Sequence, residues 1–424
     1  MNNPLNTNAA DFCWATGIEN TFIPHVRPGL RKLDEYELTQ HYQLWKSDFD
    51  LLADTGVSAV RWGIPWYRVQ PSPDEWEWRW TDEALDYLVN VKGITPILDL
   101  VHYGTPLWLD NTFINAGYPQ YVAEYARAVA ARYKNLVRYY TPLNEPMIHA
   151  NVAGRVGVWP PYLKGNDGYV KLILALSRGI VLTTRALKEE QPDMLSVQVE
   201  AVWQMSTGDE TLQPRVELHN LQQYLSFDLV TGRVTDDHPL CGFLTGYGAS
   251  EADLIWFREN AVSFDFFGAN FYPWSYGPVR LLKDGLFHRR PVRTHGKALA
   301  EVVSNAYARY QMPVMVTETS AQGDIRRRGR WMDETITAMR GLRQSGVPVA
   351  GYTWFPFFSM FSWNYRTGRR PLSKYLIHLG LYDAAFDQAG VLHRHRTPLV
   401  DQYQQHIAQP MPPVGQSQRP AGTI

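Results

Sequence analysis

Short apolar runs alternate along this chain with stretches whose apolar positions recur every three to four residues. The stretch 37–55 shows the second pattern: Leu38, Tyr42, Trp45, Phe49 and Leu52 fall on one face of a helix. Read this way, the chain predicts strands at 12–16, 57–62, 94–101, 136–143, 195–203, 264–271, 314–317 and 349–354. Helices are predicted at 37–55, 82–91, 121–133, 168–189, 217–231, 297–310, 331–344 and 399–407, with a short extra one at 251–259. Strand and helix alternate throughout, which predicts the α/β class and a single (β/α)8 TIM barrel over residues 1–408. No Gly/Ser-rich linker divides it, and 409–424, rich in Pro, Gln and Gly, reads as a disordered tail. A doubly wound open sheet is the competing arrangement, but no Gly-x-Gly-x-x-Gly follows the first strand.

In such a barrel, chemistry sits at the C-terminal ends of the strands. Those ends deliver Arg61 and Trp62, then His102, Asn144 with Glu145, and Glu200 or Trp203. They continue with Asn270 and Tyr272, Glu318, and finally Trp354 with the loop to Trp363. Glu145 lies in Thr-Pro-Leu-Asn-Glu-Pro and Glu318 in Val-Thr-Glu-Thr-Ser, each just after an apolar run. Two carboxylates over one barrel mouth are the equipment for cleaving a glycosidic bond, one protonating the leaving oxygen and the other attacking the anomeric carbon. The competing readings are a surface or capping Glu145, an Arg61 held in a barrel-interior salt bridge and a His102 satisfied in the core.

Composition narrows the partners. With 41 basic and 42 acidic residues the net charge is −1, which leaves no electrostatic footprint for nucleic acid. The basic runs 326–330 and 366–370 read as solvated loops. No apolar run approaches the ~20 residues that span a bilayer. The N-terminal residues lack a secretory pattern, so a soluble, cytoplasmic protein is expected. Cys13 and Cys241 allow one bridge at most, and no Cys/His cluster has metal-ligand spacing. The 15 Trp, 24 Tyr and 17 Phe suit sugar stacking, although cores use aromatics too.

Several segments in order resemble glycoside hydrolase family one, the β-glucosidase family. Residues 59–71, Ala-Val-Arg-Trp-Gly-Ile-Pro-Trp-Tyr-Arg-Val-Gln-Pro, are similar to its Tyr-Arg-Phe-Ser…Trp-x-Arg…Pro segment. Residues 100–109, Leu-Val-His-Tyr-Gly-Thr-Pro-Leu-Trp-Leu, are similar to its Leu-x-His-x-x-x-Pro-x-Trp-Leu segment. Residues 264–272, Phe-Asp-Phe-Phe-Gly-Ala-Asn-Phe-Tyr, resemble Asp-Phe-x-Gly-x-Asn-Tyr-Tyr. The resemblance implies Glu145 as general acid/base and Glu318 as nucleophile, with Arg61 and Tyr272 holding the nucleophile. It implies Asn144 on the sugar 2-hydroxyl, His102 on another hydroxyl of the glycon (the sugar that is transferred) and Trp363 in the glycon floor.

The chain departs from the family where the sugar is read. Ser362 stands where a glycon-binding Glu usually precedes the Trp, and Ser359 where an Asp is usual. Tyr140 takes a position where Trp or Phe is common, and Glu19 is the nearest counterpart of an N-terminal glycon-gripping Gln. The expectation is a retaining β-glycosidase of a small soluble glycoside, with no cofactor or metal and no nucleic-acid or membrane partner. Glycon, aglycone, linkage position and oligomeric state stay open. A transglycosylase, another barrel glycosidase of the same clan and a non-catalytic sugar-binding barrel are the alternatives.

Overall fold

A computed structural model describes residues 11–282, 287–290 and 292–415. Eight parallel strands close into a barrel: β1 Cys13–Gly17, β2 Ala59–Gly63, β3 Thr95–Asp99, β4 Tyr139–Thr141, β5 Leu195–Ala201, β6 Phe266–Asn270, β7 Val314–Thr319 and β8 Val349–Trp354. Each pairs with its sequence neighbours, and β1 closes the ring by pairing with both β2 and β8. The open doubly wound sheet is thereby excluded. Around the ring lie α1 His41–Ala53, α2 Arg79–Asp86, α3 Tyr118–Tyr133, α4 Gly165–Glu190, α5 Gln213–Gln222, α6 Gly296–Tyr310, α7 Ile325–Gln344 and α8 Leu399–Ala408.

The period of the sequence explains the layers. In α1, His41, Trp45, Asp48, Phe49 and Leu52 form the buried stripe. Strand residues alternate between the barrel axis and the helices. Inside, Cys13, Ala15, Ala59, Ile97, Phe266 and Met315 fill the bottom of the barrel. The axis is narrow: a Cβ on Gly268 would lie 3.0 Å from both Thr317 and Val199. Burial pushes the Cys13 thiol up to about 12, against a hydrogen bond with Ser58. Cys13 and Cys241 are both free thiols.

Several local expectations change. The predicted 217–231 helix is two, α5 and Leu225–Val230. The predicted strand 136–143 shortens to β4, after which Asn144 returns to the sheet by a bridge to Val199. Neither basic run is a solvated loop throughout. Residues 326–330 open α7, whose N-cap Asp324 accepts from the Arg327 amide, and Arg328 is buried against Asp383. Arg366 is also buried, donating to the carbonyls of Arg31 and His25 and to the Tyr162 hydroxyl. Of the expected tail, 416–424 lies outside the described residues. Residues 409–415 lie beside α7, where Arg343 donates to the Pro412 carbonyl and accepts from the Gly415 amide. Among the described residues no helix is long and apolar enough to cross a membrane.

Candidate active site

The C-terminal strand ends open into a cavity of about 570 Å³ lined by Glu19, His102, Glu145, Asn270, Tyr272, Glu318 and Trp363. Arg61 and Asn144 lie just beneath it, buried. Arg61 points along the barrel axis, with Nε 3.0 Å from Asp99 Oδ1 and a terminal nitrogen 2.8 Å from Asp99 Oδ2. Its other terminal nitrogen ion-pairs with Glu318 Oε1, while the nitrogen facing Asp99 also donates to Asn144 Oδ1 at 2.6 Å. Tyr272 donates its hydroxyl to Glu318 Oε2 at 2.7 Å. Glu318 is aimed by an irregularity in β7, where the pairing register slips after Val316.

Glu145 sits at the junction of strand and helix. Its φ of +44° is left-handed, and Pro146 begins the next helix, Pro146–His149. A non-glycine residue there stores backbone strain, a feature that clusters at functional sites. The Glu145 carboxyl accepts from Asn270 Nδ2 at 3.0 Å and from the Tyr103 hydroxyl. Asn144 is saturated: Oδ1 accepts from Arg61 and Asn270, while Nδ2 lies 3.1 Å from His102 Nε2 and 2.8 Å from the Tyr103 hydroxyl.

Burial dominates the electrostatics. It raises the pKa of both Glu145 and Glu318 above the usual carboxylate range. Arg61 pulls Glu318 back while the charge of Glu145 pushes it up. Hydrogen bonds from Tyr103 and Asn270 pull Glu145 back. Burial also works against an ionised Asp99, yet Arg61 and His102 outweigh it and hold that carboxyl low. Burial would lower His102, but its hydrogen bond to Asp99 and the nearby Glu19 leave it raised.

Other residues read from the strand ends fall elsewhere. Trp354 is fully buried and does not line the cavity. It packs on the helix-facing side of β8 in the main core, donating from Nε1 to the Leu379 carbonyl. Trp62 likewise turns outward, to His41 Nε2 at 3.1 Å. Glu200 is buried away from the cavity, beside Gln198. Ser362 does line the cavity, whereas Ser359 is buried against His378 and the Ala384 amide. Trp363 packs steeply inclined to Tyr103 and Trp159, at interplanar angles of 82° and 68°, with ring centroids 5.5 and 4.9 Å away. Sequence reasoning missed Asp99 and Tyr103. An Asp within the apolar run Ile-Leu-Asp-Leu-Val was a usable signal, since a buried charge needs a partner.

Two carboxyls at a barrel mouth, one clamped by a guanidinium and a phenol, define the class: a barrel glycosidase. Residues 31–206 match the model of Glycosyl hydrolase family 1. β-Glucosidase 47 of Arabidopsis thaliana is 22% identical, the match covering 84% of this chain and 73% of that protein. The 6-phospho-β-glucosidase of Clostridium longisporum is 34% identical over 36% of this chain and 34% of its own. The solved family 1 β-glucosidase of Thermotoga maritima superposes with a TM-score of 0.80, covering 94% of this chain and 97% of that one; at 20% identity this shows a shared fold. These matches bear out the resemblance to the family 1 β-glucosidases and support a glycosidase, the family model matching residues 31–206.

Proposed function

We propose that this chain is a retaining β-glycosidase of small soluble glycosides, acting by double displacement within one barrel domain over 1–408. The observation that carries the assignment is asymmetric. A guanidinium and a phenol both donate to Glu318, whereas Glu145 accepts from the Asn270 amide and the Tyr103 phenol and feels Arg61 and His102 only at longer range. A formal positive charge in contact favours the ionised form, so the proton shared by this buried pair resides on Glu145 and the charge on Glu318. Glu318 then attacks the anomeric carbon while Glu145 protonates the departing oxygen. The bond to the aglycone breaks and a glycosyl ester forms on Glu318. Glu145, now ionised, deprotonates a water that attacks the anomeric carbon and releases both sugar and Glu318. His102, Asn144, Glu19 and Trp363 supply the glycon contacts. Glu318→Ala abolishes turnover of aryl glycosides, and added azide restores part of it with an azide product of inverted configuration. An active Glu318→Ala variant without azide overturns the assignment.

A second reading concerns the glycon. Ser362, Asn364 and Ile377 border a neighbouring cleft of about 390 Å³ that also contains Arg370 and Lys374. Two cations beside a serine suit a phosphorylated sugar, and one relative is a 6-phospho-β-glucosidase. Comparing 4-nitrophenyl 6-phospho-β-glucoside with its unphosphorylated parent decides it. The free thiols Cys13 and Cys241 fit a reducing compartment, so the cytoplasm is the proposed location; cell fractionation checks it.

A further inference from the structure

The helical segment that starts at Pro146 continues through Ala150–Val156 and brings Asn151 and Arg155 into the same cavity. Arg155 therefore lies on the Glu145 side, where the leaving group departs. Its guanidinium touches three neutral amide oxygens: Asn166 Oδ1 at 3.1 Å, Asn151 Oδ1 at 3.0 Å and Gln222 Oε1 at 3.4 Å. It also stacks 4.1 Å over the Tyr169 ring. Among the described residues no carboxylate ion-pairs with it, in contrast to Arg61, Arg328 and Arg394. Burial lowers its pKa, so the cation is desolvated without a counter-charge. His219, close by, is pushed down to about 4 by burial and by Arg155, so it adds no charge near neutral pH. Trp203 and Met205 provide an apolar wall beside this cation.

We propose that the Glu145 side of the cavity takes a leaving group that carries an anion, a carboxylate-bearing aryl aglycone being the simplest, with Arg155 as its anchor. The ring lies along Trp203 and Met205, and the carboxylate supplies the charge that the protein withholds. A half-buried cation without a carboxylate counter-charge gains more from a ligand anion than one already ion-paired, because no existing ion pair has to be broken.

The inference rests on the glycosidase reading, and the test separates the two. The kcat/KM values of 4-carboxyphenyl β-glucoside and of its methyl ester are compared in the wild type, Arg155→Gln and Arg155→Lys. The ester has the better leaving group, yet the wild type favours the carboxylate by about tenfold. Arg155→Gln brings the ratio to one or below, and Arg155→Lys retains part of it. A ratio unchanged in Arg155→Gln, or a wild-type preference for the ester, overturns the proposal. Calorimetry of 4-carboxyphenyl 1-thio-β-glucoside and its ester on the wild type reads the anchor alone. If neither glucoside is hydrolysed, the glycosidase reading fails while tighter binding of the thio-carboxylate still supports the anchor. Equal affinities overturn it, and this measurement also serves if Arg155→Gln does not fold.

Discussion

Asp99 and Glu318 are bridged by a single guanidinium: Arg61 gives Nε and one terminal nitrogen to Asp99 and its other terminal nitrogen to Glu318. One cation thus serves a carboxylate that only positions it and another that faces the cavity. Arg61→Lys keeps the charge but loses the fork that reaches both. Its kcat/KM on aryl glycosides falls by about 10²-fold. Burial and the charge of Glu145 then act on Glu318 with less opposition, so its pKa rises further and the acid limb of the pH profile moves up. An unmoved acid limb contradicts the proposed role of Arg61.

Tyr272→Phe removes the hydroxyl bonded to Glu318 Oε2 and nothing else in the core. Stability changes by about 1 kcal/mol. The loss appears in kcat, about tenfold or more, with the same upward move of the acid limb. A variant with normal kcat and raised KM makes Tyr272 a ground-state contact instead.

Glu145→Ala separates proton donation from attack. Substrates with good leaving groups, such as dinitrophenyl glycosides, lose little in the first step, while alkyl glycosides lose about 10²–10⁴-fold. Equal losses on both substrate types reject Glu145 as the acid.

Ser362 lines the cavity, and Arg366 is consumed by backbone carbonyls and Tyr162, so it does not replace a missing glycon contact. Ser362→Glu raises kcat/KM for unmodified aryl β-glucoside and lowers it for the 6-phospho form. The gain corresponds to a charge-assisted hydrogen bond, about 1.5–3 kcal/mol. A wild type that strongly prefers unmodified glucoside, with no improvement on Ser362→Glu, removes the case for altered glycon specificity.

Glu200 makes a prediction about stability. Burial raises its pKa well above the usual value, so the folded state holds it protonated where the unfolded chain has released the proton. Its stability contribution is therefore lost as pH climbs from the unfolded carboxyl pKa towards the folded one. Glu200→Gln keeps the shape and removes that loss, stabilising the protein at pH 8 by about 1 kcal/mol or more and flattening the alkaline side of the stability curve. A curve of unchanged slope refutes a protonated Glu200.

The barrel was legible because eight strand–helix alternations leave few other topologies, and strand ends could be located within a few residues. Which face each end residue takes was harder to read. Arg61 and Trp62 are neighbours, yet one lies beneath the cavity and the other turns to His41. Trp354 was misread for the same reason: β8 turns it to the helix layer, while the cis-Pro loop that follows brings Phe355 near Arg61, 5.6 Å from its guanidinium carbon to the ring centroid. Glu318 faces the cavity after a register slip that hydrophobic alternation does not encode. Tyr103 reaches Glu145 from a backbone at φ +74°, for which its local sequence gives no cue.

Asn144 already uses its bonding capacity within the protein. Both its amide groups are committed, so a sugar hydroxyl that bonds to it must displace a protein partner rather than fill a vacancy. For an intact glycoside that exchange is close to even, one hydrogen bond lost for one gained. Once positive charge spreads over the ring, the 2-hydroxyl becomes a stronger donor and the exchange tilts towards the sugar. If Asn144 has its proposed role, recognition there is deferred until bond breaking has begun, which spares the enzyme from gripping its substrate in the ground state.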